Sequence, residues 1–268
     1  MDPLAHKYRY EWMRLDKIAS IIEHCPVAIQ PSGLLEWHGR HNAIGLDGVK
    51  GYYICERAIT LLGDGVLMPM NWVGTYGFIR YPGTICYDAN TTYMVFLQIY
   101  KELMKLGFKV IFVLTGHYGQ WQMTHLAKAR AEAEDWAKTK GLKVRLLGMH
   151  PPTLVPYIFG GDHAQRYETS MLWRVGEAYG IDLVDVSDTA VGVEHVPMFK
   201  IDDEGVPIRE PEEWKWVDNL KDPDVCSTKF GEYLIDSISK GMVLEILEML
   251  GELGIDYLPP SPILEPGF

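Results

Sequence analysis

No window of the 268-residue chain approaches the roughly 18 uninterrupted apolar residues of a membrane-crossing helix, so no span is expected. Cysteine is scarce: Cys25, Cys55, Cys86 and Cys226 stand far apart and form no CxxC pair. That spacing offers neither a disulfide framework nor a thiolate zinc site. Positive charge is also in short supply, with 25 Lys and Arg against 36 Asp and Glu and a formal net charge of -11. Phosphate backbones and anionic lipid surfaces would be repelled, which argues against nucleic-acid and membrane partners. The opening residues "MDPLAHKYRYEWMRLDK" have no apolar core of signal-peptide length, so a reducing cytoplasm is the expected setting. Internal repeats and low-complexity linkers are absent, and no glycine-rich phosphate loop joins a strand to a helix. One domain over residues 1–268 is therefore expected, and a flavodoxin-like nucleotide module is not.

What is there is an alternation of strands and helices. "VAIQP" (27–31), "GVLMPM" (65–70), "KVIFVLTG" (109–116), "KVRLLGMH" (143–150) and "IDLVDV" (181–186) read as strands. The third is a β-branched run of the kind buried on both faces of a parallel sheet. Helical spacing covers "GVKGYYICERAITLLG", "TTYMVFLQIYKELMKLGF" ending at Gly107, roughly 121–140, "AQRYETSMLWRVGEAYG", and "FGEYLIDSISKGMVLEILEMLGELG". Such alternation indicates βαβ units around a mostly parallel sheet, an α/β fold. Residues 196–226, with prolines, acids and two tryptophans but no periodicity, read as an irregular insertion.

Ligands of open α/β sheets gather where strands end and loops begin. Polar groups concentrate there in this chain. "PSGLLEWHGRHNAIGLDG" (31–48) follows the first strand and carries Glu36, His38, His41 and Asp47. Glu36 and His38 are two apart, so an extended backbone aims both to one side. Asp47 returns after a loop containing Gly39 and Gly45. His117 follows the strand 109–116, and "FGGDHAQRYETS" supplies Asp162, His163 and Glu168 at a helix entry. Carboxylates and imidazoles without thiolates suit Zn²⁺, Mn²⁺ or Fe²⁺. Glu36, His38, Asp47, His117 and Glu168 are too many for one catalytic ion that keeps an open position. Five ligands suit two ions sharing a carboxylate, and the cations would relieve the repulsion among three acids.

These segments resemble the creatininase family. "PSGLLEWHGRHNAIGLD" is similar to its Gly, Glu-x-His-Gly and an Asp nine residues after that His. "YPGT" (81–84), "LTGHYGQ", "HAQRYETS" and "DPDVCSTKFGE" (222–232) match further family segments in order, over about residues 25–250. The resemblance implies a three-layer α/β/α sandwich, two divalent ions and a homo-oligomer, often a hexamer. It implies that Glu36, Asp47 and His117 hold one ion, that His38 and a bridging Asp47 hold the other, and that Glu168 completes the second site. The family's usual carboxylate two residues after the histidine is replaced by Gly119 here. His163 matches the substrate-side histidine, which would protonate or relay a proton to the departing atom. It precedes Glu168 by five residues, about 140° around a helix, so it is expected in the loop or at the helix start.

Departures from the pattern bear on substrate. Tyr118, Gly119, Gln120 and Trp121 alter the pocket wall, and Phe159 and Gly160 replace a stacking tryptophan and an aspartate of creatininase. Tyr118, Trp121, Phe159 and Asp162 are the expected substrate contacts, Asp162 being equally a helix-capping candidate. His41, His125 and His150 are expected to be structural. The reaction implied is hydrolysis of a small polar cyclic amide or a formamide by water activated between two ions, with creatinine itself not expected. The alternatives are carbon–carbon ring opening of a cyclic polyol ketone, and a non-catalytic metal or small-molecule binding protein on the same scaffold.

Overall fold

The computed structural model describes residues 5–79, 81, 83–156, 162–188 and 219–261. Four strands form its centre: β1 (Val27–Ser32), β2 (Val66–Leu67), β3 (Val110–Thr115) and β4 (Arg145–Met149). They lie in the order β2-β1-β3-β4, and every pairing is parallel. β1 and β3 run in register from Val27 opposite Val110 to Ser32 opposite Thr115, so their carboxyl ends finish together.

Among the described residues seven helices surround the sheet: α1 (Leu15–His24), α2 (Leu46–Leu62), α3 (Ala89–Leu106), α4 (Gln120–Thr139), the single turn α5 (Pro151–Leu154), α6 (Arg166–Tyr179) and α7 (Thr228–Glu252). Strand alternation sorts the apolar side chains to two faces. Val27, Ile29, Val110, Phe112 and Leu114 pack into one core with Ile54 of α2, Val175 of α6 and Ile238 of α7. Ala28, Ile111 and Val113 face the other core, with Ile21 of α1, Phe96 of α3 and Leu126 of α4. The expected three layers are thus present. Each wholly buried Val, Ile, Leu or Phe contributes about 1.5–3 kcal/mol by leaving water, and this is what clamps the helices to the sheet. Local signals set the helix ends: Asp88 accepts a hydrogen bond from Thr91 N (2.9 Å) at the start of α3, and Gly107, at φ 105°, stops it.

One expected strand is absent from the sheet. Residues 181–186 make only an isolated antiparallel bridge, Val184 with Asn42, supported by Asp185 N donating to His41 O (2.8 Å). Asp182 and Asp185 interrupt the apolar residues and are exposed, whereas every residue of β1 and β3 is buried. The segment therefore lines the loop after β1 instead of entering the sheet. Of the irregular stretch, residues 196–218 lie outside the described residues, and 219–226 lead to α7, whose cap Ser227 accepts from Phe230 N (3.4 Å).

Candidate metal centre

The site forms where β1 and β3 end. Gly116 N donates to Ser32 O (2.8 Å), holding the two strand ends together just before His117. A Cβ on Gly116 would lie 2.0 Å from Asp47 O, so only glycine lets β3 abut the first turn of α2. Beyond β1 the chain stays extended: Leu35 bridges Ile85, Glu36 N donates to Ile44 O (3.0 Å), and Trp37 N donates to Thr84 Oγ1 (3.0 Å). Glu36 and His38 consequently project to one side.

Glu168 arrives from the first turn of α6. Asp162 organises that turn: its two carboxylate oxygens accept from Tyr167 N (2.9 Å) and Glu168 N (3.3 Å). Glu168 reaches back, its Oε2 accepting from Ala164 N (2.8 Å), a reciprocal arrangement of the capping-box kind. His163 sits in the loop before α6, as its offset from Glu168 requires.

The five expected ligands converge. His117 Nδ1 is 2.9 Å from Glu36 Oε2 and 3.3 Å from Asp47 Oδ2. His38 Nε2 is 3.3 Å from Asp47 Oδ1 and 3.6 Å from Glu168 Oε2. Each ring is oriented from behind, His117 Nε2 by Thr75 O (3.1 Å) and His38 Nδ1 by Glu36 O (3.0 Å). A carbonyl only accepts, so those nitrogens carry hydrogen and the opposite nitrogens face the carboxylates. Glu36, His38, Asp47 and Glu168 are 1–2 % exposed and His117 is 5 % exposed.

Electrostatics reflect the crowding. Burial alone would lower His38, but Asp47, Glu168 and Glu36 outweigh it and raise it to about 9. His117 is likewise raised against burial, by Glu36 and Asp47. Burial opposes ionisation of Asp47 and Glu168, yet the charges of His38 and Lys50 hold both below the ordinary carboxylate value. His163 goes the other way: burial, then the charge of His38, push it to about 3. Burial and the charge of Glu168 raise Asp162 to about 7.

The donor set fits divalent ions. Among the described residues, Glu36, Asp47 and His117 form one group able to hold an ion, and His38, Asp47 and Glu168 a second, with Asp47 common to both. Asp47 Oδ2, buried and lacking a hydrogen-bond partner, faces the first group. Such an atom is costly unless a cation satisfies it. A third group combines Glu36, His38 and His163. However, His163 Nε2 bonds to Trp37 O (3.0 Å), and its ring stacks on Phe78 (3.9 Å) and His38 (4.4 Å), a placement beside the ligands.

The remaining expected residues divide. Tyr118 and Asp162 line the same cavity of about 280 Å³ as the metal groups. Trp121 does not border it; at 53 % exposure it stacks on Tyr76, which does. Phe159 lies outside the described residues. His41 bonds to Ala164 O (2.9 Å), His125 to Trp121 O (2.7 Å), and His150 stacks on Tyr118, none of them in the metal groups. Sequence reasoning missed Phe78, whose N–H donates to Glu36 Oε1 (2.6 Å), and above all Lys50. Lys50 is wholly buried, bonded to Glu168 Oε1 and 3.4 Å from Asp47 Oδ1. Its only signal was a lysine one helical turn beyond Asp47.

No curated protein matches the chain. A manganese form of creatininase is 20% identical with a TM-score of 0.69, over 90% of this chain and 98% of that one. A zinc–zinc form of a creatininase variant, also 20% identical, covers 90% and 97% at 0.65. A putative creatinine amidohydrolase from Bacteroides fragilis NCTC 9343, at 19% identity, covers 91% and 96% at 0.65. At these identities the likeness is one of fold. The family model described as creatininase, creatinine amidohydrolase, matches residues 11–246, and on that match the chain belongs to the creatininase family.

Proposed function

We propose that this chain is a hydrolase that holds two divalent ions, zinc or manganese, and adds water to a small polar cyclic amide or a formamide. The observation that carries the reading is the pair of ligand groups sharing Asp47 at the floor of one cavity. A cavity of about 280 Å³ is at the small end of ligand sites, which start near roughly 300 Å³. Creatinine is left outside the proposed substrates because Phe159 and Gly160 stand where creatininase carries tryptophan and aspartate. A homo-oligomer in the cytoplasm belongs to the same proposal.

Divalent ions held here supply Lewis acidity to water and to the substrate carbonyl. The chain's own groups do the rest. The carbonyls of Thr75 and Glu36 hold His117 and His38 in one orientation. His163, kept neutral by burial, accepts a proton at Nδ1 while Nε2 stays on Trp37 O, and then delivers it to the leaving atom. Phe78 and Trp37 shield that proton from bulk water: Phe78 stacks on His163, and Trp37 stacks on Tyr81 at 4.1 Å. Tyr118, bonded to Glu168 Oε1 (2.7 Å), borders the substrate space.

Elemental analysis of protein purified without added metal, with a panel of cyclic amides, formamides and cyclic diketones, tests the proposal. Bound zinc or manganese and release of ammonia, amine or formate are expected. Turnover without those products would redirect the reaction to carbon–carbon cleavage, and failure to take up any divalent ion would overturn the metal reading.

Two further results are expected. His163→Gln should lower kcat by about a hundredfold or more with metal content unchanged; loss of metal instead would make His163 a ligand. Metal uptake at pH 7–8 should release protons, because His38, raised to about 9, is protonated in the metal-free protein and must lose its proton to bind. Affinity should therefore fall as pH drops below 9. Calorimetric heats that are identical in buffers of different ionisation enthalpy would contradict this.

A further inference from the structure

Gln122, in the first turn of α4, is 0% exposed, and a wholly buried amide must satisfy both of its ends within the protein. Its neighbour Trp121 points the other way, onto Tyr76. Tyr76 has a left-handed backbone (φ 51°), which a residue other than glycine keeps only where its surroundings hold it. The residue before it, Thr75, is held by Gln122. Gln122 Oε1 accepts from Thr75 N (3.0 Å), and its Nε2 donates to Thr115 Oγ1 (3.4 Å). The Thr115 hydroxyl in turn donates to His117 O (2.5 Å), and His117 Nε2 donates to Thr75 O (3.1 Å). Four residues from three parts of the chain thus close a circuit of hydrogen bonds.

The sense of that circuit is forced. A backbone N–H only donates, so the amide oxygen of Gln122 faces Thr75 and its NH₂ faces Thr115. His117 O only accepts, so the one hydrogen of the Thr115 hydroxyl lies there. Thr75 O only accepts, so His117 Nε2 carries a hydrogen. Every bond then runs the same way round, the arrangement in which buried hydrogen bonds polarise and strengthen one another. The consequence falls on the other ring nitrogen. His117 Nδ1, 2.9 Å from Glu36 Oε2 and 3.3 Å from Asp47 Oδ2, is the one presented to the ligand group. His38 stands outside the circuit, because its Nδ1 rests on Glu36 O (3.0 Å).

Resting on the two-ion reading above, we propose that Gln122 is a positioning residue for the metal centre. Through Thr75 and Thr115 it fixes the ring angle of His117 and keeps hydrogen on Nε2, and so sets how strongly the Glu36–Asp47–His117 group holds a divalent ion. The His38–Asp47–Glu168 group does not depend on it.

The test is equilibrium dialysis of the full chain against graded free Zn²⁺, followed by elemental analysis, in two backgrounds. His38→Ala leaves the Glu36–Asp47–His117 group, and there Gln122→Met, of similar length but without the amide, should weaken uptake about tenfold or more. His117→Ala breaks the circuit beforehand, and there Gln122→Met should leave uptake unchanged. Thr115→Val, which removes only the hydroxyl, should act in the same direction in the same background, and melting curves check that each variant is folded. In the otherwise wild-type protein loaded with Zn²⁺, proton NMR should show the His117 Nε2–H as a slowly exchanging imidazole proton, identified by its absence in His117→Ala. Gln122→Met should speed its exchange about tenfold or more. Equal weakening in both backgrounds would make Gln122 a packing residue and overturn the inference, as would loss of folding in both variants. Unchanged uptake and exchange in folded Gln122→Met and Thr115→Val would overturn it too, and so would a His38→Ala protein that holds no ion. A wild type that takes up no Zn²⁺ would overturn the two-ion reading itself.

Discussion

Asp47→Ala is expected to strip both ions from the protein and lower turnover on the order of a thousandfold or more. No other side chain belongs to both the Glu36–Asp47–His117 and the His38–Asp47–Glu168 groups. Losing it leaves two incomplete pairs, and Lewis-acid stabilisation worth several kcal/mol disappears with the metal. The fold should persist, because Asp47 sits in the first turn of α2, where the backbone bonds Leu46 N to Ala43 O (3.1 Å) and Val49 N to Gly45 O (2.9 Å) do not involve its side chain. Elemental analysis and circular dichroism check the two halves. A folded Asp47→Ala protein with full metal content would end the bridging assignment.

Gly116→Ala should be nearly as damaging by a different route. Its Cβ would lie 2.0 Å from Asp47 O and 2.9 Å from Asp47 C, both backbone atoms that cannot rotate aside. The strand end or the first turn of α2 must shift, at about 2–3 kcal/mol of overpacking strain. For a chain of this size that corresponds to a fall in Tm of about 5–10 °C. The same shift carries Asp47 away from His117, so metal retention should weaken even in the fraction that stays folded. A variant with unchanged melting and unchanged metal affinity would show that the contact tolerates a methyl group.

Most of the sheet was legible because β1, β2 and β3 are buried on both faces. β3 reads as an unbroken apolar run rich in β-branched residues, and nothing else in that stretch competes with the strand pattern. The segment 181–186 misled for the opposite reason. Acids interspersed among aliphatics describe many half-exposed extended segments, whether they join a sheet or, as here, bridge a loop at Asn42. The candidate ligands were legible because Glu36 and His38 share a strand-like spacing and because His117 and Glu168 sit at element ends. Trp121 was expected at the cavity by proximity: it follows His117 by four residues, but α4 begins at Gln120 and turns it outward onto Tyr76. Lys50 was illegible because a lysine in a helix is ordinarily solvated. What buries it is Glu168, 118 residues further along the chain.

The parallel register of β1 with β3 has a consequence for how the molecule comes to exist. Val27 pairs with Val110, Glu36 and Asp47 meet His117, and His38 and Asp47 meet Glu168, so each candidate ligand group closes a long loop of chain. Such non-local topology folds slowly, because loop entropy is lost before any contact compensates it. Neither group is complete until β1 and β3 have paired or α6 has docked, so an ion has little to nucleate. It finds its ligands only after the sheet has closed, and from then on it binds the native state alone. In this architecture a divalent ion is a lock fitted to a finished door: it slows opening and leaves the rate of construction untouched.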